Sequence, residues 1–221
     1  MNLPDHLLPA AWLWGGHVLF ALVLLWAVYS APWRRLQDSS QLNVWLGACV
    51  GLMAIWSIKT GIKPGLNFHL LGATAFALMF GPQLAIVGVA VVLAAITLDG
   101  MSGWESFSLN ALFMGVLPVL VSYGLYRIVD SKLPNHLFIY IFANAFFGAA
   151  LAMAATGIGT TLLLDLAGIY PATYLYREYL PYFILIGWSE AISTGMAMTI
   201  LVIYRPNWVC TFDDNRYLKN K

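Results

Sequence analysis

Imidazoles and free amines are the nitrogen donors that hold nickel, copper, cobalt and zinc, and a square-planar nitrogen set is the geometry of Ni(II) or Cu(II). The chain offers four histidines, His6, His17, His69 and His136, together with the α-amine of Met1 and the backbone N–H of Asn2. His6 sits in a short polar N-terminal segment that closes at Pro9. His69 follows Gly61-Ile62-Lys63-Pro64-Gly65-Leu66-Asn67 and is expected to begin a helix, so that its ring projects into a cavity formed by that loop. His17 falls inside an apolar run, where a buried imidazole ordinarily satisfies a hydrogen bond within a bundle, and His136 beside Pro134 reads as a solvated span end. Glu190 also lies in an apolar run, where an ionisable group is costly enough to be turned inward and either paired or protonated; a structural contact and a transport role both stay open. Cys49 and Cys210 have neither the spacing of a zinc site nor the count of a disulfide framework, and read as packing or bystander residues.

The elements that carry these groups must lie in a bilayer. Of 221 residues, 61% are hydrophobic and 10% charged, against roughly 45–50% and 25% in soluble domains. A net charge of +1 without basic clusters excludes a nucleic-acid footprint. A spanning helix takes about 20 apolar residues. The apolar runs are Ala10 to Ser30, Leu42 to Ile58, His69 to Phe80, Leu84 to Leu98, Phe107 to Tyr126 with a kink at Pro118, His136 to Leu164 and Tyr182 to Tyr204. Lys59 to Asn67, with Gly61, Pro64 and Gly65, is expected to be a loop, and Asp99 to Glu105 a polar turn. The expected architecture is an all-α integral membrane protein of seven transmembrane helices, a single transmembrane domain over 1–221. Residues 1–9 fold into the outer cavity and 205–221 form a cytoplasmic tail. No basic segment with a small-residue cleavage site opens the chain, so the mature protein is expected to begin at Met1.

Orientation follows from basic residues. One set of alternate loops holds Arg34, Arg35, Arg127, Lys132, Arg205, Arg216, Lys219 and Lys221, and the other only Lys59, Lys63 and Arg177. The C-terminus is therefore expected in the cytoplasm and the N-terminus outside. The outer side carries Asp5, Asp99, Glu105, Asp165 and Glu178, a mildly anionic mouth suited to a cation. No Walker A pattern is present, so this chain does not hydrolyse ATP, and no repeat suggests a carrier of two inverted halves.

The segments Asn67-Phe-His-Leu-Leu-Gly72, Phe80-Gly-Pro82, Leu109-Asn-Ala-Leu-Phe-Met-Gly115, Ile186-Gly-Trp-Ser-Glu-Ala-Ile-Ser-Thr194 and Arg205-Pro206 occur in that order. Together with the opening Met1-Asn-Leu-Pro-Asp5, they resemble the CbiM/NikM-type substrate-binding membrane subunits (S components) of cobalt and nickel energy-coupling-factor ABC transporters. The likeness spans nearly the whole chain. It implies seven helices and an external N-terminus that folds back to bind metal through the terminal amine, the nitrogen and imidazole of the second residue, and the histidine of HLLG. Met1 and His69 match those positions. Asn2 stands where the family has histidine, and His6 is the imidazole placed to compensate. Asn67, Asn110, Glu190 and His17 are then expected in the surround of the site or along a pathway.

The expected function is a permease subunit that captures a transition-metal cation, cobalt or nickel with zinc as a further candidate, in a cytoplasmic (inner) membrane. The resemblance implies a transmembrane coupling subunit and two ATPases as partners, besides the lipid bilayer. No catalytic residue and no catalytic cofactor are expected. Ala145, Ala149 and Met153, with Gly148, Ala152 and Thr156, have the spacing of a close contact face or of ordinary bundle packing. Asn2 keeps open a metal-blind paralogue that binds another small solute or is structural. An intramembrane hydrolase using His69, Glu190 and a metal lacks HExxH or any nucleophile and base spacing.

Overall fold

The computed structural model describes residues 2–218. Its long helices are α1 (Ala10–Ser30), α2 (Ser39–Ser57), α3 (Ala73–Leu98), α4 (Phe107–Lys132), α5 (Leu137–Leu166) and α6 (Ala172–Tyr204). Five of them, all but α2, are long and apolar enough to cross a membrane. The molecule is a mostly helical membrane bundle. Met1 and residues 219–221, which hold Lys219 and Lys221 of the basic set, lie outside the described residues.

The third and fourth apolar runs are not two separate rods but the two arms of α3. Gly81 inside it has φ 79° and ψ 167°, and Pro82 follows. In a straight helix Phe76 and Gly88 would stand about 18 Å apart. Here the Phe76 ring lies directly against Gly88, leaving no room for a Cβ. The chain therefore doubles back at Gly81. Because Pro82 has no N–H, the Leu78 carbonyl loses its helical donor, and the break frees that of Met79. Thr211 donates to Leu78 through its N (3.3 Å) and its Oγ1 (2.8 Å), while the Cys210 N and the Arg35 Nη1 each donate to Met79 at 3.0 Å. Cys210, read from sequence as a packing or bystander residue, thus belongs to a cap.

These contacts define two ends of the bundle. The tail end gathers the break in α3, Arg35 and the segment after α6, whose short helix α7 (Asp214–Tyr217) is fastened where Arg216 and Tyr217 meet Asp130. The opposite end holds Asn2 to Pro9, the 99–106 loop and a pair of strands. The stretch expected as a loop makes an antiparallel hairpin, β1 (Thr60–Lys63) and β2 (Leu66–Phe68), with Thr60 opposite Phe68 and Gly61 opposite Asn67. The same Pro64-Gly65 pair that excluded a helix forms its turn. Gly65 has φ 74°, open to a residue without Cβ, and a Cβ there would stand 2.7 Å from Leu7 and 3.3 Å from Leu3.

Helix α3 starts later than expected. His69 does not begin a helix; it opens the irregular stretch His69–Gly72, and Gly72, at φ 63°, precedes the first helical residue, Ala73. Inside α4, π-helical residues Leu112–Val116 lie just before Pro118, and α5 opens with a π-helical stretch, Tyr140–Phe147.

Candidate functional site

The hairpin end is assembled around the N-terminal segment. Asn2 and Leu3 are buried, Leu3 completely. The Asn2 N–H donates to Asn67 Oδ1 at 2.7 Å, and Asn67 Nδ2 returns a bond to the Asn2 carbonyl at 3.0 Å. Leu3 is held likewise by Asn110, whose Oδ1 accepts the Leu3 N–H at 2.7 Å and whose Nδ2 faces the Leu3 carbonyl at 2.9 Å. Two asparagines, one on β2 and one on α4, thus read consecutive peptide groups of the entering segment.

The Asn2 side chain is consumed by this scaffold. Its Oδ1 accepts from Ser102 Oγ (2.8 Å) and Asn110 Nδ2 (3.1 Å), and its Nδ2 donates to the Met101 carbonyl (3.1 Å). An amide oxygen has two lone pairs, and both are taken. Asn2 therefore brings its backbone to the site while its side chain acts as a structural clasp. Asp5, read from sequence as one of the outer carboxylates and as part of the opening motif, anchors the segment. Its carboxylate accepts the N–H groups of Trp104 (3.2 Å), Glu105 (2.9 Å) and Ser106 (3.3 Å) at the entrance to α4, and it packs so tightly on Gly103 that no side chain fits there. A Pro-Asp pair ahead of the first helix was the available signal for it.

His69 lies 6% exposed between the hairpin and α3. Its Nδ1 is 2.9 Å from the Leu70 carbonyl. A carbonyl only accepts, so Nδ1 carries the proton and Nε2 is left with a lone pair. Nε2 is buried and has no hydrogen-bond partner among the described residues. Burial pushes the imidazole down to about 4, with Lys59 a lesser contributor in the same direction, so the ring is neutral at ordinary pH. The Trp56 ring stands 5.5 Å away, and Trp56 Nε1 donates to the Leu71 carbonyl at 3.0 Å. Glu190, from α6, fixes the same stretch from the other side: its two oxygens accept the N–H groups of Leu71 (2.8 Å) and Gly72 (2.7 Å). The pairing expected of a carboxylate inside a span is thus with backbone donors next to His69.

The remaining histidines are elsewhere. His6 has φ 61°, and its exposed ring pairs with Glu105 at 3.1 Å, so the structure does not bring it to His69. The positive φ turns its side chain outward while the half-buried Asp5 packs on Gly103. His17 Nδ1 meets Ser108 Oγ at 2.8 Å, and His136 Nδ1 accepts the Phe138 N–H at the start of α5. Met1, the amine of the expected set, lies outside the described residues. Among the described residues no group of three or more His, Cys, Asp or Glu side chains could hold a metal.

Two cavities border the site. A vestibule of about 640 Å³ is lined by Asn2, Asp5, Lys59, Lys63, Asn67 and Ser102, among others. A cleft of about 720 Å³, lined by Ile58, Lys59, Phe68, His69, Tyr182 and Ser189 among others, holds His69 itself. The vestibule lining has two lysines against one carboxylate, so the anionic mouth expected from the census is not found there. Lys59 donates to the Met101 carbonyl and burial lowers its pKa. Lys63 lies 3.9 Å over the Tyr174 ring, which turns its charge toward an aromatic face.

Comparison with known proteins gives this geometry a context. Residues 2–208 match the family model for CbiM, described as a cobalt uptake substrate-specific transmembrane region. The cobalt transport protein CbiM of Chlorobium limicola is 29% identical over 179 residues, 76% of this chain and 64% of that protein. The "probable fused nickel transport protein LarMN" of Lactiplantibacillus plantarum is 26% identical over 207 residues, 88% of this chain and 62% of that protein. The chain thus spans less than two thirds of the length of both relatives. A crystal structure of a truncated transition metal transporter superposes with a TM-score of 0.75 at 21% identity, covering 92% of this chain and 99% of that one. At that identity the likeness establishes the fold.

Proposed function

Because the chain belongs to the CbiM family, of which residues 2–208 carry the signature, we propose that it captures a cobalt or nickel cation as the substrate of uptake. The observation that carries this reading is the His69 Nε2 lone pair, buried, deprotonated and without a partner among the described residues, on a ring whose other nitrogen is pinned by the Leu70 carbonyl. That is the arrangement of a metal-ligating imidazole, in which the bond at the far nitrogen fixes tautomer and direction. The Met1 amine and the Asn2 backbone nitrogen, once its proton and its bond to Asn67 Oδ1 are given up, complete the proposed set, with Asn110 holding the entering segment in register. The relatives' names point to cobalt and nickel and not to zinc.

The proposed topology has seven crossings, the two arms of α3 counted separately, with the hairpin end outside. The return at Gly81 and the basic residues of the tail end support it. Lacking a phosphate-binding loop, the chain is proposed to act with a transmembrane coupling subunit and two ATPases in an energy-coupling-factor transporter of the cytoplasmic membrane.

Calorimetric titration of the purified chain with Co²⁺ and Ni²⁺ tests the capture reading. Wild type should bind one equivalent and His69→Ala none, with unchanged elution on size exclusion; equal binding by both would refute it. A second reading, a paralogue that takes another small solute, is favoured by the engaged Asn2 side chain and the polar vestibule of Lys59, Lys63, Asn67 and Ser102. It predicts no Co²⁺ or Ni²⁺ binding by wild type and a gain in Asn2→His.

A further inference from the structure

The vestibule at the hairpin end is larger and more basic than a bare cation needs. Its volume of about 640 Å³ is that of cavities that take small organic molecules, roughly 300–1,000 Å³. Lys59, just before β1, and Lys63, at the end of β1, both line it, with Asp5 as the carboxylate of the lining. Asp5 is already occupied by the N–H groups of Trp104, Glu105 and Ser106. Among the described residues neither ammonium group forms an ion pair. Lys59 meets a neutral carbonyl, that of Met101, and Lys63 meets the face of Tyr174. Neither contact cancels a full positive charge. Two uncompensated cations at separate points of one rim repel an incoming divalent ion and attract an anion.

The cavity also adjoins the proposed capture point. Asn2, whose nitrogen belongs to the proposed set, lines the vestibule, and Lys59 lines both it and the cleft that holds His69. Because the Asn2 carboxamide is held by Ser102, Asn110 and Met101, it adds no donor to that set. The Met1 amine, the Asn2 nitrogen and His69 Nε2 are three nitrogens, whereas a square-planar ion takes four ligands and an octahedral ion six. At least one position is left for a ligand from outside the chain.

We infer that the vestibule binds a small polycarboxylate and that the cation is captured as its chelate. Some carboxylate oxygens enter the open positions of the ion while others meet the ammonium groups of Lys59 and Lys63. The inference rests on the capture reading above and specifies the form of the cargo. A polycarboxylate suits both tasks, because carboxylate oxygens are ligands for divalent metals and because its charges, spread over several carbons, match cations at separate points. Charge balance runs the same way. The chelate of a dication by a trivalent anion is negative, so the lysines that repel the bare ion attract the complex.

The test dialyses the purified full chain against a preformed 1:1 complex of ⁵⁷Co²⁺ and ¹⁴C-citrate and counts both labels on the protein. Wild type should retain them in a ratio near one. Lys59→Met and Lys63→Met should each retain at least tenfold less citrate, and each should still bind Co²⁺ offered without citrate, because no nitrogen of the proposed set is altered. Lys63→Arg, which keeps the charge, should keep the wild-type ratio. Wild type holding ⁵⁷Co²⁺ without ¹⁴C, or a ratio unchanged in both methionine variants, would overturn the inference and leave the capture reading standing. Retention of ¹⁴C without ⁵⁷Co²⁺ would overturn it in favour of a solute taken up on its own, and equal displacement of citrate by inorganic phosphate would overturn the choice of a carboxylate. Absence of Co²⁺ binding in either form by wild type removes the capture reading and this inference with it. If a methionine variant does not fold, the wild-type ratio still decides.

Discussion

At the scale of residues, the site turns on which nitrogen of His69 carries the proton. The Leu70 carbonyl demands Nδ1–H, and burial holds the ring neutral with a pKa lowered to about 4. A lowered histidine pKa means that the charged form appears only as pH falls through the folded value, well below the ordinary 6.5. In ¹⁵N-histidine-labelled, metal-free protein, the His69 ring should remain the neutral Nδ1–H tautomer from pH 8 to pH 5; titration with a midpoint near 6.5 would contradict the described environment. Glu190 is a positioning residue. Glu190→Gln keeps one acceptor but replaces the other with a donor facing an N–H, so Co²⁺ affinity should drop, by roughly 10- to 150-fold if the whole of one charge-assisted hydrogen bond worth about 1.5–3 kcal/mol is lost. His69 and Glu190 were both readable from sequence, because an imidazole after a broken stretch and a carboxylate in an apolar run are each chemically conspicuous. Asn2's clasp, Asp5's cap and His6's outward turn were not. They depend on bonds between residues about 100 positions apart in the chain, and no local pattern encodes which loop arrives there.

Among the elements, the N-terminal segment and the broken helix α3 carry the arrangement. Asp5 accepts three backbone N–H groups, and Asp5→Ala would leave the entrance to α4 uncapped, at a cost on the order of 1–2 kcal/mol. The segment should then open more often. A cysteine placed at Leu3, fully buried here, should resist a water-soluble maleimide in the otherwise native protein and react severalfold faster in the Asp5→Ala background; equal rates would show that Asp5 does not hold the segment. The apolar runs on either side of Gly81-Pro82 were visible in the sequence, but the helix start was not. Leucines 70 and 71 suit a helix as well as a strand, and Glu190 bonds the backbone N–H groups of Leu71 and Gly72 from another helix, outside any helical ladder. The hairpin was missed for a related reason: strands of four and three residues around Pro-Gly carry too little pattern to separate them from a loop.

For the molecule as a whole, the proposed orientation places Lys63 outside and Lys132 inside. In intact cells, a membrane-impermeant thiol reagent should label a cysteine at position 63 and spare one at 132 until the cells are permeabilised; the opposite pattern would invert the bundle and remove the uptake reading. The stitching of Cys210, Thr211 and Arg35 onto the broken turn of α3 also has a genetic consequence. Donors that arrive more than 130 positions downstream, from beyond the last long helix, complete the fold of its third. Until the ribosome has finished them, the nascent chain carries bare carbonyls in an apolar interior, so a nonsense codon at Val209 should behave as a null allele through loss of the protein, even though every long helix has already been translated.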